Sequence, residues 1–324
     1  MDVTSNIVGS DVSKATLAVC YRVATRLQHA EGSHSKAGFA QLVRHCGAEC
    51  LYVMEATGSS YLSLAYSLVE QGARVAVVNP LVVRRFLQMH LGKGKRDRKQ
   101  APWLLRYGQQ QTPKQWQPDE AVLVEGRPLE QVSEQLIRQK TMTLNSLEAL
   151  PQPPVGSAQA EQPLRQALGR LEEQIQVLET ELVGLWEQHY ARQMPFLCSI
   201  PGIGRKTAVL LLLFAKRFTQ VDTYRQLTAK AGLCPRAYSS GTRVRGTWRI
   251  TRMGGGLIRS KLFRGSFSAK KANAACKALY DRLVAKGKKG KLALIAVCHK
   301  LLQQACAIVK SGIPYQPDFA RISA

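Results

Sequence analysis

Three acidic residues, Asp11, Glu55 and Asp97, stand where the strands of an α/β sheet end or give way to a helix. Carboxylates gathered at strand ends can hold two hard cations, Mg2+ or Mn2+. Such ions activate a nucleophile and stabilise the leaving oxygen in phosphoryl transfer. Any one of the three is a weak sign, because an Asp after a strand is more often a turn or capping residue. The set is more specific, since Ser13-Lys14 follows Asp11 and Ala56-Thr57-Gly58 follows Glu55. Actin-like ATPases also open with strand, Asp, turn and strand, but the sequence offers no second glycine loop to grip a phosphate.

A second group of residues lies in the last third of the chain. Residues 199–207, Ser-Ile-Pro-Gly-Ile-Gly-Arg-Lys-Thr, precede an apolar helical run and have the pattern of a helix-hairpin-helix turn. Gly202 and Gly204 would let backbone approach a phosphate, while a helix N-terminus with Arg205 and Lys206 supplies positive potential. The same four residues can equally be a tight turn between helices. Further on, Ser239-Ser240-Gly241 is flanked by Arg236, Arg243 and Arg245. A hydroxyl in such a loop either hydrogen-bonds a phosphate or attacks it, with the arginines stabilising the developing charge. Chemistry alone favours the first role. Lys286, Lys288, Lys289 and Lys291, interleaved with Gly287 and Gly290, read as contacts that position a nucleic-acid backbone.

These residues need a scaffold. Residues 6–10, 15–23, 51–54 and 74–78 have the apolar character of strands, with a weaker one at 26–29. Residues 39–46 and 61–69 have helical character, so strands first pair in hairpins and then alternate with helices. A mixed α/β sheet covered by helices is expected, followed by helices from about residue 81 to the end. Leu164, Leu168, Leu171, Ile175, Leu178, Leu182 and Leu185 alternate at spacings of four and three, a coiled-coil seam. A looser stripe (Leu129, Val132, Leu136, Leu144, Leu147) precedes it across a proline-rich break. The expectation is a helical hairpin projecting from the sheet domain, paired within the chain or between subunits. The domains are then 1–118 (acidic catalytic α/β), 119–190 (coiled-coil hairpin) and 191–324 (basic, mainly helical).

Charge divides the same way. Of 46 Lys+Arg and 22 Asp+Glu, residues 1–190 carry 20 and 19, whereas residues 191–324 carry 26 and three. A field of +23 confined to 134 residues points to a polyanion, and nucleic acid fits better than a membrane surface. The longest uninterrupted apolar run, Ala208–Ala215, is too short to cross a bilayer. No membrane partner is expected, and no secretory signal is evident. Eight cysteines without a CxxC pair suggest reduced thiols and no zinc site, in keeping with a cytoplasmic protein.

Together these segments resemble a known family. Asp11-Val-Ser-Lys, Glu55-Ala-Thr-Gly and Val78-Asn-Pro, then Ser199-Ile-Pro-Gly-Ile-Gly, Gly232-Leu-Cys-Pro, Ser240-Gly, Val244-Arg-Gly and Gly287-Lys-Lys-Gly-Lys, are similar to the DEDD transposases of the insertion-sequence-110 and 1111 groups, relatives of Piv-type invertases. The resemblance spans nearly the whole chain. It implies an RNase-H-like (RuvC-like) first domain, a coiled-coil insertion and a transposase domain with a nucleophilic serine. By its position before glycine that serine falls on Ser240, with Ser239 as the near alternative. It also implies DNA recombination guided by a structured, element-encoded RNA that pairs with donor and target double-stranded DNA. The family places its third and fourth acids three residues apart, and here Asp97 is followed by Gln100. An amide can offer an oxygen to a cation but removes one negative charge from the cage, so either the fourth ligand is dispensable here or Gln100 is an inactivating change, engineered or natural.

The resulting expectation is a homo-oligomeric recombinase, dimer or tetramer, forming a phosphoserine at Ser240 with metal on Asp11, Glu55, Asp97 and Gln100. Two other classes remain open at this level: a metal-dependent structure-specific nuclease using water, and a non-catalytic nucleic-acid scaffold.

Overall fold

The computed structural model describes residues 6–90, 100–151, 158–236, 249–251 and 253–317, and the backbone of 239–240 and 244–245. It divides into two compact units, residues 1–118 and 119–324.

The first unit is built on a five-stranded sheet in the order β3-β2-β1-β4-β5. Strands β1 (Ile7–Val12), β2 (Thr16–Val23) and β3 (Arg26–Ser33) run antiparallel as a meander, whereas β4 (Leu51–Glu55) and β5 (Arg74–Val78) lie parallel to β1. Side chains alternate between two apolar layers. Val8, Tyr52 and Met54 join Leu17, Phe39, Leu64 and Leu68 on one face, under helices α1 (Lys36–Cys46) and α2 (Ser60–Glu70). Ile7, Val53, Ala76 and Val78 meet Val83, Leu104 and Leu105 on the other, under α3 (Pro80–Met89) and α4 (Gln100–Gln111). A strand covered on both faces reads as a continuous apolar run. Local signals set the helix starts: Ser35 Oγ accepts from Gly38 N–H at 3.2 Å, and Asn79 Oδ1 accepts from Leu81 N–H at 2.8 Å with Pro80 following.

The third strand is a full eight residues, longer than its sequence suggests. It forms the sheet edge and is mostly exposed, so it carries polar side chains and little apolar periodicity.

In the second unit, α5 (Ala121–Glu148) and α6 (Ala158–His189) pair antiparallel, with Lys140 bonded to Glu172 at 2.8 Å and Gly126 against Trp186. Ile175 and Leu182 of the heptad seam are buried, while Leu164, Leu168, Leu171, Leu178 and Leu185 are half-buried. The seam therefore finds a partner in its own chain. The helix pair belongs to the second compact unit. Its base shares one core with the rest of unit two: Val122, Leu123, Leu182 and Trp186 cluster with Leu197, Leu211, Leu227, Leu262, Val297 and Leu301. That core is completed by α7 (Gln193–Cys198), α8 (Arg205–Ala215), α9 (Tyr224–Lys230), α10 (Gly256–Ala272), α11 (Ala274–Ala285) and α12 (Gly290–Ser311). The unit is mainly helical, as expected, and its short strands lie between α9 and α10. Two-residue strands β6 (Pro235–Arg236), β7 (Ser239–Ser240), β8 (Val244–Arg245) and β9 (Arg249–Ile250) form two small antiparallel pairs there. By length and composition α12 could span a bilayer, which a search for unbroken apolar runs overlooks, but half of its apolar window is buried in this core.

Candidate active site and nucleic-acid interface

The fold brings Asp11 and Glu55 together. Strands β1 and β4 are parallel neighbours with Ser10 opposite Met54, so the next residues, Asp11 and Glu55, stand level where the two strands end. Each is only half-buried. Burial pushes the Asp11 carboxyl above its ordinary value, and the Glu55 carboxylate beside it adds to the rise. Backbone N–H groups of Gln100 and Val12 donate to Asp11 and pull the other way. Glu55 is steadied by the Thr57 hydroxyl, which donates to its Oε1 at 2.6 Å. Ser13 Oγ donates to Thr16 O and accepts from Thr16 N–H, both at 2.9 Å, and so ties off the β1–β2 turn after Asp11.

The Gln100 contact depends on how α4 meets the sheet. A Cβ on Gly9 would lie 2.0 Å from Ala101 O and 2.4 Å from Leu105 N. Only glycine lets the first turn of α4 lie against β1, which sets the helix N-terminus beside Asp11. Pro102 sits in that first turn, where its missing N–H costs nothing. Asp97 lies outside the described residues, and the helix directly after β5 ends at Met89, ahead of it. The donor set fits a hard cation. Two carboxylate oxygen donors converge and repel, and Mg2+ characteristically binds through one or two carboxylates, completing its shell with water and phosphate. Among the described residues no cluster of three or more potential metal-binding side chains is present.

In unit two the Ser199–Thr207 turn is partly an internal packing device. Gly202 has φ +105°, and a Cβ there would meet Ala269 Cβ at 2.7 Å and Gly265 O at 2.8 Å on α10. Contact with α10 is by itself enough to require glycine there. Gly204, by contrast, caps α8 with open space around it. The two cations behind it are already paired. Lys206 is bonded to Glu179, and Arg205 Nε lies 3.2 Å from Glu187 Oε1. Lys261 on α10 likewise meets Glu134 at 2.8 Å. The glutamates of the hairpin thus neutralise part of the turn, a pairing across distant segments that the one-dimensional charge count conceals.

Ser240 lies on the β7–β8 hairpin, its backbone opposite Val244, and Ser239 is opposite Arg245. Arg236 is exposed on β6, and Arg243 lies outside the described residues. Lys286 caps α11, Gly287 takes φ +72°, and Lys289 caps α12, so Lys286, Lys288, Lys289 and Lys291 crowd one exposed turn. The cysteines make poor nucleophiles: burial pushes the Cys46 and Cys298 thiols up to about 12 and Cys276 to about 11.

Known proteins carry the same arrangement. Residues 8–151 match a family model described as a transposase, and residues 194–281 match that of the transposase IS116/IS110/IS902 family. Pilin gene-inverting proteins of Moraxella lacunata and Moraxella bovis are each 26% identical, covering 95% of this chain and 97% of their own. An uncharacterised 43.6 kDa protein of insertion element IS110 from Streptomyces coelicolor is 31% identical over 47% of this chain and 37% of its own. The first match contains the Asp11–Glu55 pair and the second contains Ser240, and the chain belongs to the IS110 family of DEDD transposases.

Proposed function

We propose that the protein cuts and rejoins DNA through a covalent phosphoserine at Ser240, assisted by a divalent ion on Asp11, Glu55 and Asp97. The carrying observation is the convergence of Asp11 and Glu55 at the ends of adjacent parallel strands. The Ser240 hydroxyl attacks phosphorus, and an Oγ–P bond forms as the bond from phosphorus to a deoxyribose oxygen breaks. The serine proton passes to a base, and the departing oxygen takes up a proton. Arg236, Arg243 and Arg245 offset the charge that builds on the phosphate. Thr57 and the Gln100 N–H hold the two carboxylates in place. Mg2+ or Mn2+, when bound, supplies charge neutralisation at the phosphate. Gln100 then serves through its backbone, and its amide oxygen is the fourth ligand.

A transesterification conserves the energy of the broken bond, which suits inversion or transposition better than hydrolysis does. The names of the Moraxella relatives, which invert a pilin gene, favour the same outcome. A structured RNA encoded beside the gene would choose donor and target duplexes, and the basic unit would hold both nucleic acids in the bacterial cytoplasm. Exposed Val132 (45%), Met142 (68%) and Val177 (46%) on the helix pair support assembly into a homo-oligomer.

The test is to trap the adduct. Incubation with substrate DNA and Mg2+, followed by denaturation, is expected to leave DNA covalently bound to the protein. Ser240→Ala abolishes the adduct, and Asp11→Ala reduces it by at least about a hundredfold. Cleavage that persists in Ser240→Ala without an adduct would identify a water-using nuclease instead. A wild-type phenotype for both variants in cells would identify a scaffold.

A further inference from the structure

Helix α10 carries an aromatic ring that stands partly in solvent. Phe267 is 45% exposed, although Phe263 packs edge-on beneath it with ring centroids 5.3 Å apart. A lone exposed phenylalanine is ordinary; the surroundings of this one are not. Residues 256–280 contain six basic residues and no acidic one. Two of the six serve the fold: Arg259 bonds Ala231 O at 2.7 Å, and Lys261 pairs with Glu134. Lys270 stands over both Phe267 and Tyr280, its Nζ 5.7 and 4.8 Å from the ring centroids. Arg264, Lys271 and Lys277 are exposed and carry no ion pair among the described residues. On the helix, Arg264, Phe267 and Lys271 follow one another at i, i+3 and i+7, which places them on one face. The same helix seats the Gly202 turn through Gly265 and Ala269. Its Arg264 and Ser268 border the cleft of about 970 Å3 beside that turn.

A flat apolar ring flanked by cations without ion pairs matches an unstacked base between two phosphates, and the lack of acids along α10 and the start of α11 disfavours an ordinary protein partner, although Glu172 and Glu179 line the far side of the cleft. In a duplex both faces of each base are already stacked, so a ring on a rigid helix gains little from it. We propose that Phe267 is a stacking platform for an unpaired base of a single DNA strand, with Arg264, Lys270 and Lys271 holding the adjoining phosphates. It rests on the DNA-rearranging activity proposed above, in which a cut strand must leave its partner before it is rejoined.

The test uses the full chain and four fluorescent probes: oligothymidine of about 15 nucleotides, a strand of equal length made of abasic residues, oligouridine, and a blunt duplex. Phe267→Ala is expected to weaken oligothymidine binding roughly five- to a hundredfold, the range found for losing one base-stacking ring. It should leave the duplex and abasic strands unchanged, and Phe267→Trp should restore binding. Lys271→Ala should weaken all anionic strands alike and lower the salt slope by about one. Unchanged oligothymidine binding in Phe267→Ala overturns the proposal, as does equal loss on duplex and single strand. Tighter binding of oligouridine than oligothymidine overturns the assignment to DNA. A changed oligomeric state with unaltered DNA binding makes the ring a contact between copies. Duplex binding by the Phe267→Ala variant shows that the DNA-binding reading survives even where the platform fails.

Discussion

Asp11 bears two opposed demands. Burial and the Glu55 carboxylate raise its pKa, so in the folded protein its proton is held more tightly than in the unfolded chain. For a carboxyl raised in this way, the favourable contribution exists below the unfolded value and is lost as pH rises through the folded one. At neutral pH the ionised Asp11 carboxylate is therefore a cost to stability, which a bound cation would offset. Asp11→Asn is expected to stabilise the protein by roughly 1 kcal/mol at pH 7 while eliminating cleavage. Mg2+ should raise the melting temperature of the wild type and leave that of Asp11→Asn unchanged. Calorimetry with and without the ion checks both, and a destabilised Asp11→Asn would contradict the charge argument.

At the scale of elements, the decisive contact is α4 on β1. Leu104, Leu105 and Ala101 bury against Val53 and Ile7, and Gly9 and Gly108 remove the side chains that would hold the helix away. Because α4 also delivers the Gln100 N–H to Asp11, displacing it should harm chemistry and stability together. Gly9→Ala forces a methyl against backbone atoms that cannot rotate aside, with an expected loss of about 3 kcal/mol. Denaturant titration measures that loss, and single-turnover cleavage on the remaining folded protein should still fall. Gly204→Ala is the control for stability alone, since its surroundings are open. A second element-level lesson lies at the start of α5. Burial raises Asp119, but hydrogen bonds from Lys216 and Arg127 outweigh it and hold the carboxyl below its usual range. Hydrogen bonds from Tyr190 and Arg217 lower Glu120 in the same way. These contacts tie the first turn of α5 to the end of α8 and make the helix pair part of the basic unit.

For the whole molecule, the positive field and the hairpin belong to one body. A fragment beginning at residue 191 would uncover the faces that Val122, Leu182 and Trp186 fill, whereas one beginning at Asp119 keeps the core intact. The 119–324 fragment is expected to bind blunt duplex with affinity falling on the order of a thousandfold between about 50 and 200 mM salt. Fluorescence anisotropy across a salt series measures the slope, and a flat response would refute the electrostatic footprint. Glutamates 134, 179 and 187 temper that slope, because cations they already neutralise release no counterions to DNA.

Much was settled by local chemistry. The apolar runs of β1, β4 and β5 are buried on both faces and so identify themselves, and Asp11 and Glu55 fall within the last two residues of β1 and β4. The segregation of charge is a property of composition alone and needs no fold. The heptad seam announced a helix in search of a partner. What it pairs with depends on which distant segment covers the seam, and the answer, α5 of the same chain, came only from tertiary structure. The edge strand β3 has almost no apolar face to betray it, because one side of its ladder and most of its side chains meet water. The sequence leaves Gly202 open between a phosphate contact and a tight turn, and only packing shows that it also seats α10 and that Lys206 is paired with Glu179. Phe267 carries no mark in the sequence that would separate it from a core residue of α10. Its exposure was decided by what α11 and α12 leave uncovered, since helical periodicity says which residues share a face and only packing decides which face is buried.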